Sequence, residues 1–203
     1  MVDKVFFILK PLKPKFLAAH GYALITVRRG GFQDIKGNSP EGLVISFEIF
    51  KDIGIKLKDI DFIRDATHNV YKIGAIVSTW EDYVTIECGL DDHKLIPYQI
   101  NLDHNQKAQF VRELIKLSLK APASEFYNTV KNSCVTKQLT ALNSVLPKKK
   151  QISPNIFKTK ILNVNAFVPK FIVNTYVRKG VLSLCKTKIT KNNYFGSVNS
   201  LLK

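Results

Sequence analysis

The feature that most constrains the fold is a change in the hydrophobic period near residue 103. Before that point, short apolar runs predict strands over Val5–Leu9, Tyr22–Val27, Leu43–Phe50, Ile73–Val77, Tyr83–Cys88 and Lys94–Leu102. These runs follow one another too closely to leave room for long helices between them. The spacing therefore favours a mainly antiparallel sheet over a doubly wound parallel one.

After residue 103 the apolar residues recur with a helical period. Asp103 and Gln106 resemble a capping box at the start of one helix, and Ser133 is a good N-cap for a second helix that ends near Leu146. A third helix is predicted from about Pro169 to Lys179, since proline suits the first helical position and a glycine follows. The sequence therefore predicts an α+β fold in which an antiparallel sheet precedes the helices.

The positive charge is concentrated in the last part of the chain. The net charge is +15, and residues 148–203 contain twelve Lys or Arg residues and no Asp or Glu. We interpret residues 1–147 as one domain, for which a catalytic role is considered below, and 148–203 as a basic segment with a helix, which packs on the domain or binds an anionic partner. A generally lysine-rich composition is the alternative explanation.

Lysine accounts for most of this charge, whereas specific readout of bases or phosphates usually recruits arginine. An anionic membrane surface is therefore favoured over nucleic acid as the partner of the basic segment. The residues expected to contact that surface are Lys148, Lys149, Lys150, Arg178 and Lys179.

Several classes of protein are disfavoured by simple patterns. No apolar run reaches 18 residues, and the first apolar run is too short for a signal peptide, so we expect a cytoplasmic protein unless a leader was removed. Three widely spaced cysteines form neither a disulfide framework nor a zinc motif. We expect at least one free thiol, and neither a metal nor an organic cofactor.

Cys134 and His20 are the residues that most suggest chemistry. Cys134 follows the predicted N-cap, where unsatisfied backbone N–H groups favour an anion, so its thiol should ionise readily. His20 precedes the strand-like run Tyr22–Val27. A cysteine that opens a helix and a histidine on a strand are the two parts of a thiol nucleophile site. The alternatives are a buried small hydrophobic cysteine and a histidine with a purely structural role.

The sequence also resembles a family of thiol enzymes. The segment His20-Gly21-Tyr22-Ala23 is similar to a strand of permuted NlpC-type enzymes. The stretch from Tyr98 to Val145, which includes Asn132-Ser133-Cys134, resembles the Lnb N-terminal periplasmic domain family. The resemblance implies a circularly permuted papain-like (NlpC-like) arrangement, with Cys134 as the nucleophile and His20 as the general base. That family is named for a lipoprotein N-acyltransferase.

The predicted activity is hydrolysis or acyl transfer through a thioester at Cys134, on a lipid, lipoprotein or peptide amide substrate. The backbone N–H of Cys134 and the side chain of Asn132 are candidate oxyanion donors. Glu48 is a candidate third residue to orient His20, and a solvent-facing strand carboxylate is the alternative interpretation. The alternative function is an inactive module that binds anionic lipid or nucleic acid through its basic segment.

Overall fold

The computed structural model is built around one antiparallel sheet with helices on both sides. It describes residues 2–12, 19–28, 30–33, 35–50, 70–120, 125–128, 132–152 and 169–202. The strands are β1 (Val2–Pro11), β2 (Ala19–Val27), β3 (Leu43–Phe50), β4 (Lys72–Thr79), β5 (Ile96–Ile100) and β6 (Leu182–Leu184). The helices are α1 (Trp80–Val84), α2 (His104–Lys120), α3 (Cys134–Val145), α4 (Pro169–Arg178) and α5 (Ser197–Leu202).

The predicted α+β class with an antiparallel sheet is confirmed. The sheet has six strands in the order β4-β3-β2-β1-β5-β6, and every neighbouring pair is antiparallel. The first four strands therefore form a meander in which consecutive strands are neighbours. β5 joins the other side of β1, where Phe7 pairs with both Ala23 on β2 and Tyr98 on β5.

The central strands are apolar in nearly continuous runs because both of their faces are covered. Phe7 of β1 packs in a core that contains residues of α2, α3 and α4. Its neighbour Phe6 points the other way, into a core that contains residues of α1 and α5. On that second side the indole N–H of Trp80 donates a hydrogen bond to Ser197 Oγ at 2.9 Å. Strands buried on both faces lose the alternation that marks a half-exposed sheet.

The start of α3 agrees with the sequence prediction. Ser133 is its N-cap, and the Ser133 and Thr136 side chains form a reciprocal capping box with each other's backbone N–H groups. Farther along the same helix, the buried Gln138 donates a hydrogen bond to the Ile45 carbonyl at 3.2 Å. This bond ties α3 to β3 and so fixes the helix start, which carries Cys134, relative to the sheet.

The predicted strand over Tyr83–Cys88 is wrong, because this segment is helical. α1 begins after Thr79, whose hydroxyl accepts the Asp82 N–H, and it continues into a π-helical turn over Thr85–Leu90. The buried apolar side chains share one face at helical spacing: Trp80, Tyr83, Val84 and Cys88. The N-cap and this 3.6-residue period outweigh the apolar character that suggested a strand.

The described part of the basic segment is integrated into the sheet and its two cores. β6 pairs with β5, and Tyr176 of α4 lies in the core that also contains α3. The predicted helix from Pro169 is confirmed as α4, and Gly180 follows it with a positive φ of 66°. Among the described residues, no helix has both the length and the apolar character needed to span a membrane.

Candidate active site

Three elements bring the proposed catalytic side chains together. β2 carries His20, β3 carries Glu48, and α3 begins with Cys134. The antiparallel pairing of Ala23 with Ile45, extended by three residues, sets His20 opposite Glu48. Since alternate residues of a strand share a face, Ser46 projects to the same side as Glu48. The register of two neighbouring strands therefore builds one half of the site, and α3 supplies the other half.

The imidazole of His20 is bound by two oxygen atoms of β3. Its Nε2 atom lies 2.9 Å from Glu48 Oε1 and 2.7 Å from Ser46 Oγ. The Ser46 hydroxyl also donates a hydrogen bond to Glu48 Oε1 at 2.6 Å, and the Tyr83 hydroxyl lies 3.4 Å from the same oxygen. The carboxylate thus fixes the ring orientation, as the third member of a nucleophile–base–acid site does.

Cys134 and His20 each shift the pKa of the other. Burial alone would raise the pKa of the Cys134 thiol, but the charge of His20 and hydrogen bonds from His20 and the Gly21 N–H lower it below its usual range. Burial would likewise lower the pKa of His20, yet Cys134 and Glu48 together raise it well above the usual value. The two shifts have the directions that favour a thiolate beside an imidazolium.

Glu48 is held in its charged form by the same cluster. Burial acts to raise the pKa of its carboxyl group, but hydrogen bonds from His20 and Ser46 and the charges of His20 and Lys10 lower that pKa. Glu48 keeps 28% of its side chain exposed, whereas His20 and Cys134 are 8% and 6% exposed. The acid end of the cluster therefore faces solvent and the thiol end faces the protein interior.

Gly21 lets β2, β1 and α3 approach closely beside the thiol. A Cβ atom at this position would lie 2.5 Å from Cζ of Phe7, which is shorter than any tolerable contact. The backbone N–H of the same residue acts to lower the pKa of the Cys134 thiol. Glycine is needed at this position because a side chain would collide with the Phe7 ring.

Asn132 is placed differently from the sequence-based expectation. Its side-chain amide donates hydrogen bonds to Glu125 Oε2 at 3.0 Å and to the Phe126 carbonyl at 2.8 Å. Glu125 is also paired with the buried Lys137 ammonium, one turn into α3. Asn132 therefore braces the loop that leads to Cys134. Its role as an oxyanion donor stays a prediction, and it would require one of these bonds to be released.

The five basic residues chosen from the sequence lie close together. The Lys179 ammonium donates hydrogen bonds to the carbonyl oxygens of Lys149 and Gln151, at 3.0 and 2.9 Å. This contact brings the end of α4 beside the 3-10 turn Lys148–Lys150. Lys148, Lys149, Lys150, Arg178 and Lys179 are referred to below as the basic cluster.

Two contributors to the site were not identified from the sequence. Ser46 and Tyr83 both contact Glu48, but neither belongs to a local motif. Only the β2–β3 register and the helical folding of α1 reveal them. Alternation along Leu43–Phe50 does place Ser46 and Glu48 on one face, which is the signal that the sequence offered. Among the described residues, no group of three or more His, Cys, Asp or Glu side chains is arranged to hold a metal ion.

No match to this chain was found among protein-family models, curated proteins or solved structures. The chemistry of the site is therefore inferred from its own residues.

Proposed function

We propose that the protein is a cysteine-dependent acyl-transfer enzyme, either a hydrolase or an acyltransferase, with Cys134 as nucleophile, His20 as general acid and base, and Glu48 as the residue that orients His20. The observation that carries this proposal is the Cys134–His20–Glu48 cluster, in which a carboxylate holds the imidazole that lowers the pKa of the Cys134 thiol. A buried cysteine with only a packing role has no need of an imidazolium held by a carboxylate.

The reaction would proceed in two halves. The Cys134 thiolate attacks the acyl carbonyl carbon, and the His20 imidazolium gives its proton to the departing alcohol or amine as the thioester forms. The neutral His20 then removes a proton from water or an amine, which attacks the thioester and regenerates the thiolate. The Cys134 backbone N–H lies in the first turn of α3, where helical N–H groups have no acceptor within the helix, and it is suited to bind the oxyanion.

We further propose that the fold is a circularly permuted papain-like arrangement, similar to the Lnb N-terminal and NlpC-type families. Support comes from the order of the elements, in which the sheet with His20 precedes the helix that begins at Cys134. Lipid esters, lipoproteins and peptide amides are the acyl donors that this chemistry fits. An experimental structure that superimposes β2, β3 and α3 on such an enzyme tests the assignment.

The activity is tested by alkylation followed by acyl capture. Iodoacetamide labelling across pH, read by mass spectrometry, compares Cys134 with Cys88 and Cys185 in the same chain. Burial raises the pKa of both of these other thiols, so they serve as internal controls. We expect Cys134 to be labelled at least tenfold faster than a simple thiol near pH 6, because reactivity follows the thiolate fraction.

Acyl capture then asks whether the thiol accepts a substrate. Incubation with p-nitrophenyl acetate should leave a hydroxylamine-sensitive acetyl group on Cys134, and Cys134→Ser should abolish that adduct. A Cys134 labelling profile that follows an ordinary thiol, together with no captured acetyl group, would reject the enzymatic proposal.

A second candidate function is docking on an anionic lipid surface through the basic cluster. The favouring observation is the contact of Lys179 with the Lys149 carbonyl, which joins two lysine-containing segments into one cluster. Lys148, Lys149 and Arg178 are exposed, and residues 148–203 contain no carboxylate side chain to neutralise them. Each Lys or Arg near an anionic membrane contributes about 1 kcal/mol of attraction.

Charge reversal is the appropriate test, because deletion of the segment would remove β6 and part of both cores. Lys148→Glu with Lys149→Glu should weaken flotation with phosphatidylserine vesicles by at least about tenfold, whereas Lys94→Glu with Lys116→Glu should not. Equal flotation with neutral vesicles contradicts the proposal, and salt-sensitive binding to DNA alone would reassign the basic cluster to nucleic acid.

A further inference from the structure

Ser46 is a buried hydroxyl that joins His20 to Glu48. It is 0% exposed on the central part of β3, and its Oγ atom lies within 2.7 Å of His20 Nε2 and 2.6 Å of Glu48 Oε1. A hydroxyl buried in a sheet is costly unless both its donor and its acceptor capacity are used. Here both are used, and both partners belong to the candidate active site.

The directions of these hydrogen bonds follow from the donor and acceptor capacities of the three groups. An ionised carboxylate only accepts, whereas a hydroxyl has one hydrogen to donate and lone pairs with which to accept. The Ser46 O–H must therefore point to Glu48, and its lone pair is left to accept the N–H of His20 Nε2. This arrangement requires the hydrogen of a neutral His20 ring to reside on Nε2.

We propose that Ser46 is a positioning residue that sets the tautomer of His20 and stabilises its protonated form, an inference that rests on the proposed function. With Nε2 bound to Ser46 and Glu48, Nδ1 is the ring nitrogen available to Cys134. Nδ1 then carries the proton that is delivered to the leaving group, and afterwards the lone pair that accepts a proton from water or an amine. Without Ser46, Glu48 alone must hold the ring.

A purely structural role for Ser46 makes a different prediction. Val44 and the aromatic ring of Tyr22 lie on the same side of the sheet as Ser46 and are buried in the core there, so an alanine at position 46 would fit that core. Ser46→Ala should then change stability only slightly and leave the titration of the site unchanged. A positioning role instead predicts that Ser46→Ala shifts the pH dependence of the Cys134 alkylation rate.

The test is the rate of Cys134 alkylation by iodoacetamide between about pH 5 and about pH 9 in the full chain. Ser46→Ala should move the acid limb of the rate profile upward by about one pH unit, which lowers the rate near pH 6 by about tenfold. A shift of this size is expected for the loss of one hydrogen bond to a charged group. Ser46→Thr, which keeps the hydroxyl, should restore the profile.

Ser78→Ala is the matched control. It makes the same chemical change on the neighbouring strand β4, where the Ser78 hydroxyl bonds only to the Thr79 carbonyl at 3.2 Å. Its alkylation profile should match that of the unsubstituted chain. If Ser46→Ala does not fold, Ser46→Cys, with its weaker donor, should shift the acid limb in the same direction.

Failure of this inference is distinguishable from failure of the proposed function. A fast, His20-dependent Cys134 whose profile is identical in Ser46→Ala overturns the role of Ser46 and leaves the enzyme proposal standing. If Cys134 itself is unreactive, an NMR titration of the His20 ring in the Cys134→Ala chain decides whether Ser46 acts on His20. There, Ser46→Ala must still lower the pKa of His20, and an unchanged titration overturns the inference.

Discussion

The surroundings of Cys134 and Cys88 show how one chain treats two buried thiols in opposite ways. Cys134 is 6% exposed and Cys88 is 0% exposed, so burial disfavours the thiolate at both positions. At Cys134, the positive charge of His20 and two hydrogen bonds overcome this effect, and the pKa falls. At Cys88, burial is reinforced by the negative charges of Glu87 and Asp92, and the pKa rises to about 12.

The difference lies in which charged group faces the sulfur. The Cys88 region also contains a histidine paired with a carboxylate, since His93 Nδ1 lies 2.9 Å from Glu87 Oε2. There, however, the charges of carboxylates raise the pKa of the thiol, whereas at Cys134 the charge of the imidazole has a larger effect on the thiol than the charge of Glu48. A Cys, a His and a Glu are thus found in both regions, and the pKa of the thiol is lowered in one and raised in the other.

Removal of His20 should have the largest effect on the difference in reactivity between the Cys134 and Cys88 thiols. We expect His20→Asn to slow Cys134 alkylation near pH 6 by about a hundredfold, because without the imidazolium burial leaves the thiol protonated. The measurement is the second-order rate with iodoacetamide, with the label mapped by mass spectrometry.

His93→Asn is the matched control for that change. It removes the same ring from the other histidine–carboxylate pair, next to Cys88. The rate at Cys134 should stay within about twofold of the unsubstituted chain, since His93 is not among the groups that act on that thiol. A similar loss of rate in both variants would contradict a specific Cys134–His20 pair.

A side chain at position 21 should have the next largest effect, on both the stability of the fold and the alkylation rate of Cys134. Gly21→Ala forces a Cβ atom to within 2.5 Å of Phe7, and overpacking of a core usually costs about 1–3 kcal/mol of unfolding free energy. Urea unfolding measures the loss, and slower alkylation of Cys134 should accompany it because the Gly21 N–H moves. Gly89→Ala beside Cys88 is the control, since its nearest atom, Tyr194 Oη, lies 3.2 Å away and should shift at little cost.

Glu48→Gln should give the smallest of these effects, a loss of unfolding free energy. The pH dependence of that loss should show whether the charge of Glu48 causes it. The folded-state pKa of Glu48 is lowered, so its stabilising contribution is present above the unfolded pKa of about 4.5 and is lost as pH falls through the folded value. We expect a loss of about 1–2 kcal/mol near pH 7 that shrinks below about pH 4.

The control for this carboxylate is Glu113→Gln, which removes a helix-surface ion pair with the exposed Lys116. Such pairs contribute at most about 1 kcal/mol, so unfolding free energies by urea should change little at any pH. A constant loss for Glu48→Gln down to low pH would show that its charge is not what stabilises the fold.

Local sequence signals predicted the helix start at Cys134 but not the complete cluster around it. Ser133 and Thr136 are three residues apart and form the capping box by themselves, so the start of α3 could be predicted from the sequence. Glu48 could be named from the sequence only as a candidate, because its contact with His20 depends on the register between β2 and β3. Ser46 depends on the same register and was not identified.

The remaining differences between the predicted and the observed elements also arise from contacts between distant parts of the chain. Apolar character alone could not separate a strand from a helix over Tyr83–Cys88 until the burial of Trp80 fixed the helical face. β6 has only three residues and gains its pairing from β5, more than 80 residues earlier in the chain. Short strands of this kind carry too little periodicity to be predicted from their own sequence.

The meander of β1 to β4 has a consequence for the order in which the protein matures during synthesis. These strands pair with their neighbours in sequence and all precede α3, so the part of the sheet that carries His20 and Glu48 can pair before the ribosome releases that helix. Cys134 follows later in the chain, and its thiol becomes acidic only after α3 docks beside a paired β2 and β3. Until then the Cys134 thiol lacks the His20 charge and the Gly21 N–H that lower its pKa, so the acidity of this thiol depends on prior assembly of the sheet.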